Sequence, residues 1–195
     1  PGAIAALLST QTELRAKSRD LVRRNPWAAA ALDAFVANAI GTGIKPQSMV
    51  ADVLLRERLQ ALFRDWTEEA DAAGLTDFYG LQALACRAML EGDEALVRLR
   101  YRRIDDGLVV PLQLQVLEPE HLPLHLNTVA ENGNVVRAGI EFNRLGQRVA
   151  YHLYRAHPED GALSPMSGAG GIDTVRVPAT EIIHLYRPLR PGQIR

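Results

Sequence analysis

The stretch EGDEALVRLRYRRIDDG (Glu91–Gly107) is where the chain changes period. Before Gly92, apolar residues recur at three- and four-residue steps, the spacing of one helix face. After it, Ala95, Val97, Leu99 and Tyr101 fall on one side and Arg98, Arg100 and Arg102 on the other. That is the two-residue alternation of a strand. Asp105-Asp106-Gly107 then reads as a hairpin turn. Helices before the junction and antiparallel strands after it predict an α+β fold.

Upstream, residues 3–23 predict a helix with mixed faces, whose larger apolar residues are Leu7, Leu14, Leu21 and Val22. The loose spacing predicts a peripheral arm. NPWAAAALDAFVANAIGTGIKP (Asn25–Pro46) predicts a second helix, with Asn25 as N-cap and Pro26 in its first turn. Ala28, Ala31, Leu32, Phe35, Val36, Ala39 and Ile40 make its apolar face. Gly-Thr-Gly (41–43) follows this helix, whereas phosphate loops put their glycines ahead of one, so that free N–H groups face the anion. The run also lacks the Gly-Lys-Ser/Thr of a P-loop. It reads as a helix stop. Residues 48–73 predict a third helix, with Leu55, Leu59, Leu62, Phe63, Trp66 and Ala70 as its stripe and Gly74 as its stop. Thr76 is expected to cap a fourth helix that ends at Gly92.

Downstream, LVVPLQLQVLEP returns as a strand, with Pro111 marking an edge or irregularity. ENGN (131–134) is a second turn. VVRAGIEF and QRVAYHLYR are expected to pair around NRLG (143–146), residues 156–171 read as loop, and TVRVPATEIIHLYRP gives one or two further strands. The predicted organisation is an N-terminal helical arm (1–24), a helical subdomain (25–92) and an antiparallel β subdomain (93–195).

The 195 residues carry a formal net charge of −1, so no global basic field points to nucleic acid. Residues 48–94 hold ten Asp/Glu against four Lys/Arg, an acidic middle that argues against a continuous nucleic-acid groove. The single cysteine, Cys86, cannot form an internal disulfide and is expected to be buried and inert. No apolar run approaches the roughly 20 residues of a membrane helix. Pro1-Gly2 at one end and RPLRPGQIR at the other read as cuts within a longer protein.

Catalytic patterns fail one by one. His121 and His125 are separated by Pro123 and cannot share a helix face as a zinc pair would. No HExxH or Gly-x-Ser-x-Gly occurs. Glu68, Glu69 and Asp71 read as a solvated helix face. No catalytic, cofactor-binding or metal-binding residue is assigned. The basic stripe Arg98, Arg100, Arg102 and adjacent Arg103 is the candidate contact surface, either for DNA phosphates or for neighbouring subunits.

Five runs carry a resemblance. They are SRDLVRRNPWAAAALDAFVANAIGTGIKPQ (18–47), WTEEADAAGLTDFYGLQALACRAMLEGDEALVR (66–98), PLQLQVLEPEHL (111–122), NGNVVRAGIEFNRLGQRVAYHLYRAHP (132–158) and VPATEIIHLYRPLRPGQIR (177–195). Together, in this order, they resemble the N-terminal, wing-type region of lambda-type tailed-phage portal proteins. One departure is Asp93, which stands between Gly92 and Glu94 where the family usually joins Gly to Glu directly. The resemblance implies a non-enzymatic structural subunit of a ring, typically dodecameric, at the capsid vertex of the virion, assembled in the host cytoplasm. Implied partners are other copies of the chain, the terminase large subunit, head-completion and tail proteins, the capsid protein, and double-stranded DNA passing through the channel. No cofactor and no membrane are implied. The alternatives are a generic prophage interaction module and a phosphate-handling hydrolase.

Overall fold

The computed structural model describes residues 3–158 and 174–195, with side chains from residue 10 onward. Four helices come first: α1 (Ala3–Arg24), α2 (Pro26–Ala39), α3 (Val53–Glu68) and α4 (Phe78–Gly92). Strands β1 (Glu94–Tyr101), β2 (Leu112–Leu117), β3 (Thr128–Val129), β4 (Val135–Arg137), β5 (Ile140–Phe142), β6 (Arg148–Tyr154), β7 (Thr174–Pro178) and β8 (Ile182–Tyr186) follow. They form two antiparallel sheets, β2-β1-β8 and β3-β4-β5-β6-β7. The α+β expectation holds.

The three-stranded sheet is a middle layer with both faces covered. On one face, Val97 and Leu114 pack with Trp66, Ala70, Leu81 and Ala85 from the helical region. On the other, Leu96, Leu117 and Ile182 pack with Ile140, Tyr151, Leu153 and Val177 of the five-stranded sheet. This explains the unbroken apolar run Ala95-Leu96-Val97, because a strand buried on both faces has no solvent side to mark with polar residues.

The helix caps follow local chemistry. Asn25 accepts hydrogen bonds from the backbone N–H groups of Trp27 and Ala28 at 2.9 and 3.3 Å. Asp52 caps α3 by accepting from Leu55 N–H at 2.9 Å. Asp77, not Thr76, caps α4, accepting from Gly80 N–H at 2.7 Å. α3 stops at Glu68, short of the expected 73, because Ala70–Ala72 pairs with β2: Leu114 donates to Ala70 O at 2.7 Å and Ala72 to Leu114 O at 2.9 Å. Asp71 is therefore no solvated helix carboxylate. It is buried and accepts from the backbone of Ala73, Leu75 and Thr76, which shapes the turn before α4.

Two strand connections differ from expectation. Asp105-Asp106-Gly107 is not a tight hairpin; a 3-10 helix (Ile104–Asp106) opens the link, with Arg103 N–H donating to the Asp106 carboxylate. Pro111, which cannot donate to a ladder, lies just ahead of β2. VVRAGIEF is not one strand but two, β4 and β5, with Arg137 opposite Ile140. The turn between them places Ala138 at φ 48° and Gly139 at φ 80°. Two positive φ values suit a two-residue hairpin. Ala138 tolerates this because its N–H donates to Asn127 Oδ1 at 3.0 Å and its carbonyl accepts from Arg195. The NRLG turn pairs β5 with β6 as expected. The loop expected over 156–171 lies, from residue 159, outside the described residues.

Gly-Thr-Gly ends α2 and carries the chain onto α4. Gly41 takes φ 56° and Gly43 φ 97°. Ile44 N–H then donates to Gln82 Oε1 at 2.7 Å, and Gln82 Nε2 returns a bond to Ile44 O at 3.0 Å. A Cβ on Gly43 would lie 2.2 Å from Tyr79 Cδ1, whereas one on Gly41 meets nothing closer than 3.7 Å. Gly43→Ala is expected to cost about 2–3 kcal/mol in urea denaturation, from backbone strain and steric overlap together. Gly41→Ala, with strain alone, should cost about 1 kcal/mol. Equal losses at the two sites would refute the role of Tyr79.

Candidate functional site

Along β1, the face turned to the five-stranded sheet carries Glu94, Leu96, Arg98 and Arg100 in succession. Its two ends are electrostatic opposites. At the start, buried Glu94 is ringed by donors. Its Oε1 accepts from Gln11 at 3.3 Å, Arg15 at 3.0 Å and Arg195 at 2.5 and 2.9 Å, while its Oε2 lies 2.8 Å from His184 Nε2. Arg195 also donates to the carbonyls of Pro119, Leu122 and Ala138. One carboxylate thus ties together α1, β1, β8 and the C-terminal segment. Burial pushes its pKa up, but the His184 hydrogen bond and the Arg195 charge outweigh burial and hold it at about 2. Burial pushes His184 below its ordinary value, against the pull of Glu94. The ring is consistent with an Nε2–H donor to Glu94 and an Nδ1 acceptor facing Tyr151 Oη at 3.4 Å. A Tyr-His-Glu row can suggest catalysis. Here Tyr151 is 3% exposed, and the side chains of His184 and Glu94 are 2% and 1% exposed, so the row is interior.

The way α1 docks is the part of this cluster that periodicity did not find. Leu14 and Leu21 are exposed, while Gln11 and Arg15 are buried. Gln11, Arg15 and Arg19 stand four residues apart, a polar row along one face, and Arg19 continues it with a bidentate bond to Glu120 at 2.8 and 3.0 Å. A search for apolar rows passes over such a helix.

A second buried carboxylate, Glu141 on β5, accepts from Arg176 at 2.7 and 3.1 Å, Asn132 at 3.0 Å and Asn134 at 2.7 Å, with His152 Nε2 at 3.2 Å. The Arg176 hydrogen bond, ahead of the cost of burial, drives it well below the usual carboxylate range. Glu118, Glu120 and His157 bring three potential ligand atoms within 4.8 Å of one another. Arg19 already supplies the positive charge there, bonded to Glu120 and 3.6 Å from Glu118. This cluster works as an ion-pair clasp between α1 and the β2–β3 connection.

The far end of the β1 face carries the sequence-assigned arginines, and the structure divides them. Arg98 and Arg100, opposite Gln115 and Gln113 of β2, line one cleft between the sheets. Arg102 Nε donates to Gln113 Oε1 at 2.8 Å. Arg103 is exposed and opens the 3-10 turn. His121 and Arg155 join the cleft from the 3-10 helix Pro119–His121 and from just past β6. Nothing near β1 in the sequence points to these two, because only the packing of one sheet on the other brings them in. His125 is not in the cleft lining; its Nε2 lies 3.4 Å from Tyr154 Oη. Cys86 is half-buried and faces an apolar groove.

The fold and its charged groups define a layered α+β module in which buried ionic clasps join distant elements and one cationic cleft opens between sheets. The sequence profile described as phage portal protein, lambda family, matches residues 1–195. The chain is also 31% identical, over 148 residues, to the probable portal protein of Halomonas phage phiHAP-1. It belongs to the lambda family of phage portal proteins, as the five sequence runs implied. The matched stretch is 74% of this chain and 27% of that relative, so the chain spans about a quarter of the relative's length.

Proposed function

We propose that this chain is the wing-type part of a portal subunit: one member of a ring, typically of twelve, that forms the DNA conduit at the capsid vertex. In this reading the ring docks the terminase large subunit during packaging and head-completion and tail proteins afterwards, contacts the capsid protein, and catalyses nothing itself. It assembles in the host cytoplasm and ends in the virion. No described helix is long and apolar enough to cross a membrane. Arg98, Arg100, Arg102 and Arg103 are read as contacts for DNA phosphates or for neighbouring subunits.

The observation that carries this reading is the uncovered apolar surface of the helices. α2 has no buried residue, and Trp27 and Phe35 on it are 84% and 55% exposed. The buried residues of α3 lie at its C-terminal end, where Trp66 Nε1–H donates to Leu112 O at 2.6 Å and the rings of Phe63, Trp66 and Phe78 pack with centroids 5.2–5.6 Å apart. Leu54, Leu55, Leu59 and Leu62 stay exposed. Helices that leave large apolar side chains exposed suit a subunit that completes its core against neighbours. Electron microscopy of the complete polypeptide carrying these residues is expected to show closed rings. A protein that stays monomeric at high concentration would rule the reading out.

A further inference from the structure

We infer that the cleft between the two sheets, at Arg98, Arg100 and His121, is a binding site for a phosphate group. The cleft holds about 290 Å³, at the small end of ligand sites, which run from roughly 300 to 1,000 Å³. Arg98, Arg100 and Arg155 bring three guanidinium groups to it, and Gln115 adds an amide. Among the described residues no aspartate or glutamate lines it. The carboxylates that act on Arg98 and His121, namely Glu181 on the first and Glu118 and Glu120 on the second, lie outside the lining. Glu118 and Glu120 are themselves engaged by Arg19.

Of the buried side-chain atoms that lack a hydrogen-bond partner among the described residues, two, Arg98 Nε and His121 Nδ1, come together here. Both belong to residues that line this cleft. A buried polar atom without a partner costs about 1–3 kcal/mol, so two of them at one place mark a site whose hydrogen bonds are completed from outside. Burial first, and then the charge of Arg100, lower the pKa of Arg98. Two like charges held side by side in this way gain from a shared anion. Burial also lowers the pKa of His121. Leu117, Leu153 and Val175 form the apolar walls, which reduce screening of whatever charge enters. Guanidinium forks and an amide offer more donors than the two oxygens of a carboxylate accept in one plane. A tetrahedral phosphate, with up to four acceptor oxygens, matches them better. The inference deepens the reading of Arg98 and Arg100 as phosphate contacts, and its test is separate from ring formation, since phosphate binding can be present or absent whether or not the chain forms rings.

Calorimetric titration of the 195-residue chain with inorganic phosphate tests it directly. Saturable binding of one phosphate per chain is expected, with a Kd of about 1 mM or tighter at low ionic strength. Arg98→Gln/Arg100→Gln should weaken it about tenfold or more, while Arg144→Gln, at an exposed turn, should leave it unchanged. If the double variant does not fold, Arg98→Lys keeps the charge and removes the Nε donor, and should weaken binding roughly fivefold. Competition separates the sources: displacement by adenosine monophosphate marks a small phosphate ligand, and displacement by a short duplex marks the DNA backbone. No saturation by about 20 mM phosphate would overturn the site. So would equal losses in the double variant and Arg144→Gln. An acidic peptide that binds through Arg98 and Arg100 where phosphate does not would assign the cleft to a carboxylate of a protein partner, and would also overturn it.

Discussion

Glu94→Ala is expected to destabilise the chain by about 3–5 kcal/mol, the cost of removing one partner from a buried ionic cluster. The variant leaves the guanidinium group of Arg195, 2% exposed, without its carboxylate, and that of Arg15, 3% exposed, with Glu120 alone at 3.5 Å. It also removes the acceptor that orients His184. The loss spreads beyond β1, since α1 docks through Gln11 and Arg15 and the C-terminal segment through Arg195. Urea denaturation followed by circular dichroism measures it, and a loss under about 1 kcal/mol would show that the cluster is marginal. The same group sets an acid limit. Its folded pKa of about 2 lies below the ordinary 4.5, so its stabilisation is complete above pH 4.5 and lost as pH falls from 4.5 towards 2. Glu141 acts in the same sense, its pKa being lowered too. His184 adds to it: its folded pKa lies below 6.5, so protonation favours the unfolded chain as pH falls through 6.5. Stability should therefore fall steadily on acidification from neutral pH. The drop between pH 5 and 3 should be smaller in Glu94→Gln than in the parent chain.

The second large effect falls on assembly rather than on folding. Leu55 and Leu59 are 46% and 41% exposed on α3. Leu55→Glu/Leu59→Glu should change the stability of the isolated chain by about 0.5 kcal/mol per site or less, as for surface substitutions elsewhere. In the complete polypeptide the same pair should abolish rings, because two carboxylates would have to be buried without partners against a neighbouring subunit. Sedimentation velocity of the complete polypeptide and thermal melting of the chain give the two readouts. Unchanged rings would place α3 outside the subunit interface. A large loss in melting temperature would mean instead that this stripe packs within the chain.

The helix stripes read from sequence were real, but their burial was not legible. Periodicity reports that a face is apolar; it cannot report what covers it. Trp66 and Ala70 are buried against β2 and α4, while Leu55 and Leu59, earlier in the same helical region, stay 46% and 41% exposed. The arginine row was equally legible as a row. Its division was not, because Arg98 and Arg100 enter a cleft whose other wall is β6, whereas Arg102 turns to a glutamine on the adjacent strand. The buried carboxylates escaped notice for a related reason. Glu94 and Glu141 occupy ordinary alternating positions, and partners up to 101 residues away make their burial tolerable.

The sequence by itself determined local features: the cap at Asn25, a left-handed stop at Gly41, and the change from helical to strand period at Gly92. These are local effects of backbone geometry and side-chain hydrogen bonding within a few residues. The family was legible too, since it rests on residue order rather than on shape. Only the tertiary structure decided that β7 and β8, neighbours in sequence, join different sheets. It alone made Glu94 a clasp for both ends of the chain, and it alone closed a cationic cleft around Arg98 and Arg100. Those outcomes depend on which surfaces meet across long sequence separations, where burial and charge pairing act together and no local pattern records the partner.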